Sequence, residues 1–364
     1  MYYLLAVAAL GLFWKFGYLS AIMALAFLIV VHEAGHYVVA RLCGMHVERF
    51  SIGFGPGIFK RKTKSGTTFQ VAPLPFGGFV EIKGMNILEE VDPEDVNAYP
   101  NKPAWQRFVT IFAGPATNYI SAIFLAFGLY TCHGVESAEQ YHVVAQVMPT
   151  FDAAGKLEPH DRIVALDGAP IFANAGPSLT ELVSAKQGAP VTLTVRRDGQ
   201  QRDVTITPVE RFDWWTDDPY YLLGITRARE ADTIEIGIGE AAGRALVFPV
   251  KQTRLIIDAF HDMFVGKEKP DPGGPKRILD EFKAAFSHSL VAGIQLLMML
   301  SVYLGLFNLF PLPALDGGRL VFLGYELVTR RRPNPKIEAT IHMGGIMVLL
   351  VVMVLVTLRD FKLF

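Results

Sequence analysis

Four long apolar stretches constrain this chain more than any other feature of its sequence. They run approximately over residues 18–42, 104–132, 288–310 and 341–358. Each is long enough to cross a bilayer as a helix, the form that satisfies its own backbone hydrogen bonds in lipid. The pattern predicts a polytopic α-helical membrane protein with about four transmembrane helices. Residues 1–16 are also apolar, and we expect them to form a lengthened or interfacial start to the first span.

The composition agrees with a membrane protein that also has an aqueous part. Hydrophobic residues make up 51% of the 364 residues, charged residues make up 19%, and the mean hydropathy is +0.31. The formal net charge of −1 leaves no dominant basic stripe, so no nucleic-acid partner is expected. The two cysteines, Cys43 and Cys132, lie near the ends of different apolar stretches, which argues against a disulfide framework.

Residues 47–83 break the helical pattern with an alternation of period two. Phe50, Ile52 and Phe54 alternate with small or polar residues, and Lys60–Gly66 has the composition of a hairpin turn. This segment is expected to form β structure between the first two spans.

The chain between the second and third spans predicts an aqueous α+β domain followed by a linker. Alternating apolar residues over 191–195 lead into Arg197-Asp198-Gly199, which is typical of a β-hairpin turn. Ile236–Val265 predicts an amphipathic helix, lying either on the membrane or the protein, or in the core of the aqueous domain. We therefore divide the chain into an N-terminal membrane part (1–132), an aqueous domain (133–209), an amphipathic linker region (210–287) and a C-terminal membrane part (288–364).

Basic residues predict how the spans are oriented. The loop after the first span carries Arg49, Lys60 and their basic neighbours, and the loop before the fourth span carries Arg330-Arg331-Arg332. With four spans both loops lie on one side, and the positive-inside rule makes that side cytoplasmic. The chain is then expected to be a multi-pass protein of the inner (cytoplasmic) membrane, with residues 133–287 outside the cytoplasm.

His32-Glu33-Ala34-Gly35-His36 places three ionisable side chains within the first apolar stretch. Residues four apart share one face of a helix, so His32 and His36 can bind one Zn²⁺. Glu33 lies near enough to act as a general base on a water activated there. Two buried histidines without a metal are the alternative, but three ionisable groups within a span are costly in lipid. The motif therefore favours a zinc site.

A catalytic zinc site needs a third protein ligand and keeps one position open. The third apolar stretch ends in Asn308–Gly318, where Pro311 and Pro313 end the helix and free backbone groups. Irregular backbone is tolerated at membrane depth only inside protein or beside a wet cavity. Asp316 is the best candidate for the third ligand. Alternatively, Asp316 and Gly317 form only a turn or cap at the cytoplasmic boundary.

The two motifs together, His-Glu-x-x-His and Asn-x-x-Pro-x-Pro-x-Leu-Asp-Gly-Gly, resemble those of the site-2 protease family of intramembrane zinc metalloproteases. The resemblance is closest to the bacterial regulator-of-sigma-E protease branch and covers nearly the whole chain. Phe50–Gly55 and Pro75–Val80 resemble the membrane-reentrant β segments of that branch, and residues 141–208 resemble a PDZ domain. Gly114-Pro115-x-x-Asn118 matches the motif of the second span, in which Asn118 is implied to contact substrate or to pack.

The resemblance implies a zinc metalloendopeptidase and assigns roles to single residues. His32, His36 and Asp316 would bind Zn²⁺, and Glu33 would be the general base. Asn308 would hold the substrate backbone near the scissile bond or stabilise the oxyanion. The implied substrates are single-span membrane proteins already trimmed by another protease, such as anti-sigma factors or remnant signal peptides, in regulated intramembrane proteolysis.

Two departures from the branch concern the aqueous domain. Its well-studied members carry two PDZ domains in tandem, whereas this chain has room for one. A Gly-Leu-x-x-Gly-Asp turn is usual there, but Lys156–Asp161 reads Lys-Leu-Glu-Pro-His-Asp. A size or access filter fits this sequence better than the binding of carboxylate termini.

Two other functions remain open at the level of sequence. A catalytically silent membrane scaffold would bind partners through the aqueous domain. A membrane-anchored metalloprotease with a water-facing site would cut soluble chains, but its zinc helix usually stands outside the bilayer. Here the apolar run Ala21–Val31 leads directly into His32, which disfavours that reading.

Overall fold

A computed structural model describes residues 18–86, 89–212, 219–266 and 273–360. The chain divides into two compact units. The first combines Met1–Cys132 with Gly237–Phe364, and the second is His133–Ile236. Residues 1–16, which we expected to form a lengthened or interfacial start to the first span, lie outside the described residues.

The elements follow one another in a simple order. The first unit begins with α1 (Leu19–Leu42), β1 (Val47–Phe54), β2 (Phe59–Lys62), β3 (Thr68–Val71), β4 (Leu74–Ile82) and α2 (Ala104–His133). The second unit contains β5 (Val135–Val147), β6 (Arg162–Leu166), β7 (Ala169–Pro170), α3 (Leu179–Ser184), β8 (Val191–Arg197), β9 (Gln200–Ile206), β10 (Val209–Phe212), β11 (Pro219–Leu222) and β12 (Ile225–Ile234). The first unit resumes with α4 (Ile238–Phe264), α5 (Pro275–His288), α6 (Leu290–Leu309), α7 (Asp316–Thr329) and α8 (Pro335–Asp360).

Four of the described helices, α1, α2, α6 and α8, are long and apolar enough to cross a membrane. This confirms the four predicted stretches. The fourth helix begins at Pro335 rather than near Ile341. Proline fits the first helical position, where its missing N–H leaves no hydrogen bond unmade.

Small side chains bring α1 against α5 and α6. Ala21, Ala24 and Leu28 of α1 are buried with Phe282 of α5 and Leu297 of α6. Small residues let neighbouring helices approach closely, which is the main source of helix association in an apolar medium. The packing fixes the part of α1 that leads into the two histidines.

The amphipathic helix α4 packs inside the first unit. Its Ala245 and Phe248 are buried with Ala122 and Ala126 of α2 and Met298 of α6. The prediction of a helix that lies on protein is confirmed. The alternative, a core helix of the aqueous domain, is wrong, because the apolar face of α4 is matched by the faces of α2 and α6.

A four-stranded sheet in the order β2-β3-β1-β4 accounts for the period-two segment. β2 and β3 form the predicted hairpin, β3 runs parallel to β1, and β4 runs antiparallel to β1. β4 lies against α1, and a Cβ at Gly78 would come within 2.9 Å of Ile29 Cγ2. The absence of a side chain at Gly78 thus lets the strand approach α1.

The second unit is built on a five-strand path, β12-β5-β6-β8-β9, with β7 added to β6. The predicted β8–β9 hairpin turns at Asp198 and Gly199, both with positive φ, as a two-residue hairpin turn requires. The core is formed by aliphatic side chains, among them Val144, Ile163, Val191, Leu193, Val195 and Ile206.

The second unit extends beyond residue 209, where we placed the end of the aqueous domain. β10 pairs with β11, and β12 pairs with β5 along most of its length. β10, β11 and β12 are therefore strands of this unit and not part of an amphipathic linker. The prediction missed β12 because its partner strand lies far back in the sequence.

An ion pair closes the turn Lys156–Asp161. The carboxylate of Asp161 is fully buried and accepts hydrogen bonds from Arg197 Nε at 2.6 Å and Nη2 at 2.7 Å. Its Oδ2 also accepts the backbone N–H of Glu158 at 2.8 Å. These bonds hold the turn without the glycines that are usual there.

His142 makes the stability of the second unit dependent on pH. Its imidazole is buried in β5, and Nε2 has no hydrogen-bond partner among the described residues. Burial, and next the charges of Arg227 and Arg229, lower its pKa to about 4. An unfolded histidine has a pKa of about 6.5, so folding is most favourable above that pH and is weakened as the pH falls towards 4.

We predict that the second unit of the full-length protein loses up to about 1.4 kcal/mol of stability for each pH unit below 6.5. Hydrogen exchange of the β5 and β6 amides between pH 7.5 and 5 measures this loss. His142→Phe should flatten the pH dependence. An unchanged slope in that variant would assign the pH dependence to other groups.

Candidate metal centre

Helix α1 brings the two predicted histidine ligands together. His32 and His36 are one turn apart, both are buried, and their Nε2 atoms lie 3.2 Å from each other. The two rings meet edge to face, with centroids 4.9 Å apart. One face of α1 therefore presents two imidazole nitrogens to a common point.

The first residue of α7 supplies the third group. Asp316 Oδ2 lies 3.0 Å from His32 Nε2 and 3.3 Å from His36 Nε2. The three candidate ligand atoms lie within 4.8 Å of one another and form a group of described residues that could hold a metal ion. Two helices far apart in sequence thus converge at one point.

Glycine and histidine shape the turn that carries Asp316. A Cβ at Gly317 would overlap the carbonyl oxygen of Phe310, so only glycine fits where α7 starts. Ala314 adopts a left-handed conformation with a φ of 76°. Its N–H donates to His342 Nδ1 of α8 at 3.2 Å. The turn is therefore held from α8 as well as from its own helices.

Glu33 lies between the histidines and strand β4. Val80 of β4, His36, His32 and Asp316 are all close enough to its carboxylate to act on it electrostatically. A Cβ at Gly78 would lie 3.4 Å from Glu33 Cγ. The carboxylate is thus placed beside the three ligands without being part of the cluster.

Helix α2 supplies the polar groups that face Nδ1 of both imidazole rings. His36 Nδ1–H donates to the carbonyl oxygen of Thr110 at 2.8 Å. The side chain of Asn118, which is fully buried, lies 3.1 Å from His32 Nδ1. A Cβ at Gly114 would overlap the His36 imidazole, so this glycine makes room for the ring.

Asn308 hydrogen-bonds within its own helix. Its Nδ2 donates to the carbonyl oxygen of Leu304 at 2.9 Å, one turn back in α6. The hydrogen bonds described for it do not reach His32, His36 or Asp316. Its role towards substrate stays a prediction.

Sequence reasoning missed Thr110 and His342, and it left the role of Gly114 open. Thr110 acts through a backbone carbonyl, which no residue type reveals. His342 is a lone histidine in the fourth apolar stretch. The cost of burying it in lipid was the available signal that it has a polar partner. Gly114-Pro115 was noted as a motif, but its neighbour on α1 is visible only in three dimensions.

The donor set fits zinc. Catalytic zinc sites have three protein ligands, such as two imidazoles and one carboxylate, and keep a fourth position open for water or substrate. Each imidazole has a polar group on its second nitrogen, which is the usual support of a metal-binding histidine. The cluster also contains no thiolate, in agreement with a hydrolytic rather than a structural site.

We predict that Gly114→Ala weakens zinc binding about 10-fold or more, because the new Cβ displaces the ring of His36. Gly128→Ala on the same helix is the matched control, since a Cβ there meets nothing within 4 Å. Competition with a chelator, using purified full-length protein in detergent, measures both affinities. Equal affinities of the two variants would contradict the assigned contact.

Known proteins are similar to this chain over most of its length. The sequence profile of Peptidase family M50 matches residues 20–352. Three relatives carry the name "Putative zinc metalloprotease". The protein from Brucella suis is 35% identical over 330 residues, covering 84% of this chain and 85% of its own. The protein from Mesorhizobium japonicum is 32% identical (93% and 96% covered), and that from Fusobacterium nucleatum is 30% identical (95% and 99%). The chain therefore belongs to Peptidase family M50, the zinc metalloproteases of the site-2 protease type.

Proposed function

We propose that this zinc metalloprotease is an intramembrane endopeptidase, which cleaves single-span membrane proteins within or near the bilayer. The observation that carries the proposal is the meeting of His32, His36 and Asp316 beside Glu33, where both histidines and Glu33 belong to α1, a helix apolar enough to span a membrane. Ionisable residues in such helices are rare and generally functional. A water-facing protease would not need its ligands there.

The residues divide the chemistry of peptide hydrolysis among them. His32, His36 and Asp316 would hold Zn²⁺, which supplies a Lewis acid for water and for the scissile carbonyl. Glu33 would take a proton from the attacking water and pass it to the leaving nitrogen. Asn308 would have to leave its bond to Leu304 to reach a substrate carbonyl. An amide donor there would stabilise the developing oxyanion.

Strand β4 offers a place for an extended substrate. It is the end strand of its sheet, and among the described strands only β1 pairs with it. Its residues Gly78 and Val80 lie next to Glu33. A transmembrane helix hides its amides in internal hydrogen bonds, so cleavage requires local unwinding. The free edge of β4 would then hold the unwound segment by strand addition.

The remaining assignments follow the sequence resemblance. We propose membership of the regulator-of-sigma-E protease branch, a single PDZ domain in the second unit and a membrane-reentrant position for β1–β4. An inner-membrane location with the second unit outside the cytoplasm is supported by the basic loops. Anti-sigma factors or remnant signal peptides, trimmed beforehand by another protease, are the proposed substrates in regulated intramembrane proteolysis.

Glu33→Gln should reduce cleavage of a single-span test substrate in proteoliposomes about 10²- to 10⁴-fold, because the proton acceptor is lost. Zinc content should stay at the wild-type level, whereas His36→Ala should lose zinc. Glu240→Gln, at an exposed carboxylate of α4, is the matched control and should cleave normally.

Three results would contradict the proposal in different ways. Wild-type cleavage by Glu33→Gln would show that Glu33 is not the base. A wild-type protein that binds zinc but cuts no single-span substrate would favour the silent scaffold. Efficient digestion of soluble casein would favour a water-facing site.

A further inference from the structure

Asn118 contacts the imidazole of His32 from the side opposite to the ligand cluster. Its side-chain amide lies 3.1 Å from Nδ1, while Nε2 of the same ring lies 3.0 Å from Asp316 Oδ2. The asparagine is fully buried on α2, so water does not compete for this contact. The ring is thus held between Asn118 and the ligand cluster.

The chemistry of His32 decides which end of the amide must face it. A neutral imidazole that offers the lone pair of Nε2 to a metal carries its proton on Nδ1. Nδ1–H then needs an acceptor. His36 shows the same arrangement, because its Nδ1–H donates to the carbonyl oxygen of Thr110.

The oxygen of Asn118 is the atom that can accept this proton. In the structure Nδ2 is the end that faces His32, and Oδ1 is buried without a hydrogen-bond partner among the described residues. The two ends of an amide are nearly equal in size, so a half-turn exchanges them without a clash. The exchange gives Nδ1–H its acceptor and Oδ1 a partner, and it places Nδ2 where Oδ1 now lies.

We propose that Asn118 is a positioning residue that accepts a hydrogen bond from His32 Nδ1–H and thereby fixes the ring and tautomer that bind zinc. The inference rests on the proposed zinc site. It assigns to Asn118 a task on the metal ligand rather than on the substrate. The adjacent hydroxyls of Ser121 and Ser301 bond the backbone oxygen of Asn118 or each other, which anchors this turn of α2 against α6.

Substitutions of Asn118 distinguish three roles for its side chain: a hydrogen-bond acceptor, a hydrogen-bond donor, or a group that only fills space. Asn118→Leu keeps the volume and removes both hydrogen-bonding functions, so zinc affinity should fall about 10- to 100-fold. Asn118→Asp can accept but, when ionised, cannot donate, and should bind zinc at least five times more tightly than the leucine variant. Gly128→Ala, farther along the same helix where a Cβ meets nothing within 4 Å, is the control and should bind zinc as the wild type does.

The measurement is a competition titration of Zn²⁺ with a chelator, on full-length protein in detergent. A less than fivefold loss in Asn118→Leu, or an aspartate variant as weak as the leucine variant, would overturn the proposal. If Asn118→Leu does not elute as a monodisperse peak, Asn118→Ala takes its place under the same criteria. His36→Ala tests the proposed zinc site on which the inference rests. Wild-type protein that binds no more zinc than this variant would refute the zinc site itself, not the role of Asn118.

Discussion

The close contact between α1 and α2 is the interaction on which the metal centre depends. A Cβ at Gly35 would overlap the carbonyl oxygen of Ala113, and the hydroxyl of Thr117 on α2 donates to the carbonyl oxygen of Val31 at 3.0 Å. Glycine at such contacts lets helix backbones approach closely in an apolar medium. That approach puts the polar groups of α2 behind both histidine rings, where lipid would otherwise leave them without partners.

The third candidate ligand, Asp316, is brought to the two histidines by a turn rather than by the packing of α1 on α2. Asp316 is the first residue of α7. The turn before it can form only with glycine at position 317, because a Cβ there would overlap the carbonyl oxygen of Phe310. His342 binds the N–H of Ala314 in that turn, and it belongs to α8, whose described residues are otherwise mostly exposed. A helix that the sequence presents as a plain apolar span thus contributes to the geometry of the site.

Much of the site could be predicted from sequence because its signals are local. The spacing of His32 and His36 places both on one helical face, and the prolines before Asp316 mark backbone that must lie inside protein. Thr110 was beyond prediction, since a backbone carbonyl has no signature in residue type. Asn118 was identified only as a motif residue, because its contact with His32 joins two helices through tertiary packing.

The same distinction between local and distant contacts applies to the fold. The β8–β9 hairpin was predicted from its turn, which lies between strands adjacent in sequence. β12 was missed because it pairs with β5, from which it is separated along the chain by the other strands of the second unit. Local patterning is read from a few neighbouring residues, whereas the end of a domain depends on long-range pairing.

The site geometry implies that one zinc ion is bound by two imidazoles and a carboxylate contributed by distant helices. X-ray absorption of the zinc-loaded, full-length protein measures these ligands. We expect nitrogen and oxygen neighbours at about 2.0–2.2 Å with the scattering pattern of two imidazoles, and the loss of one oxygen neighbour in Asp316→Ala. A sulfur neighbour at about 2.3 Å, or a zinc environment unchanged by Asp316→Ala, would contradict it.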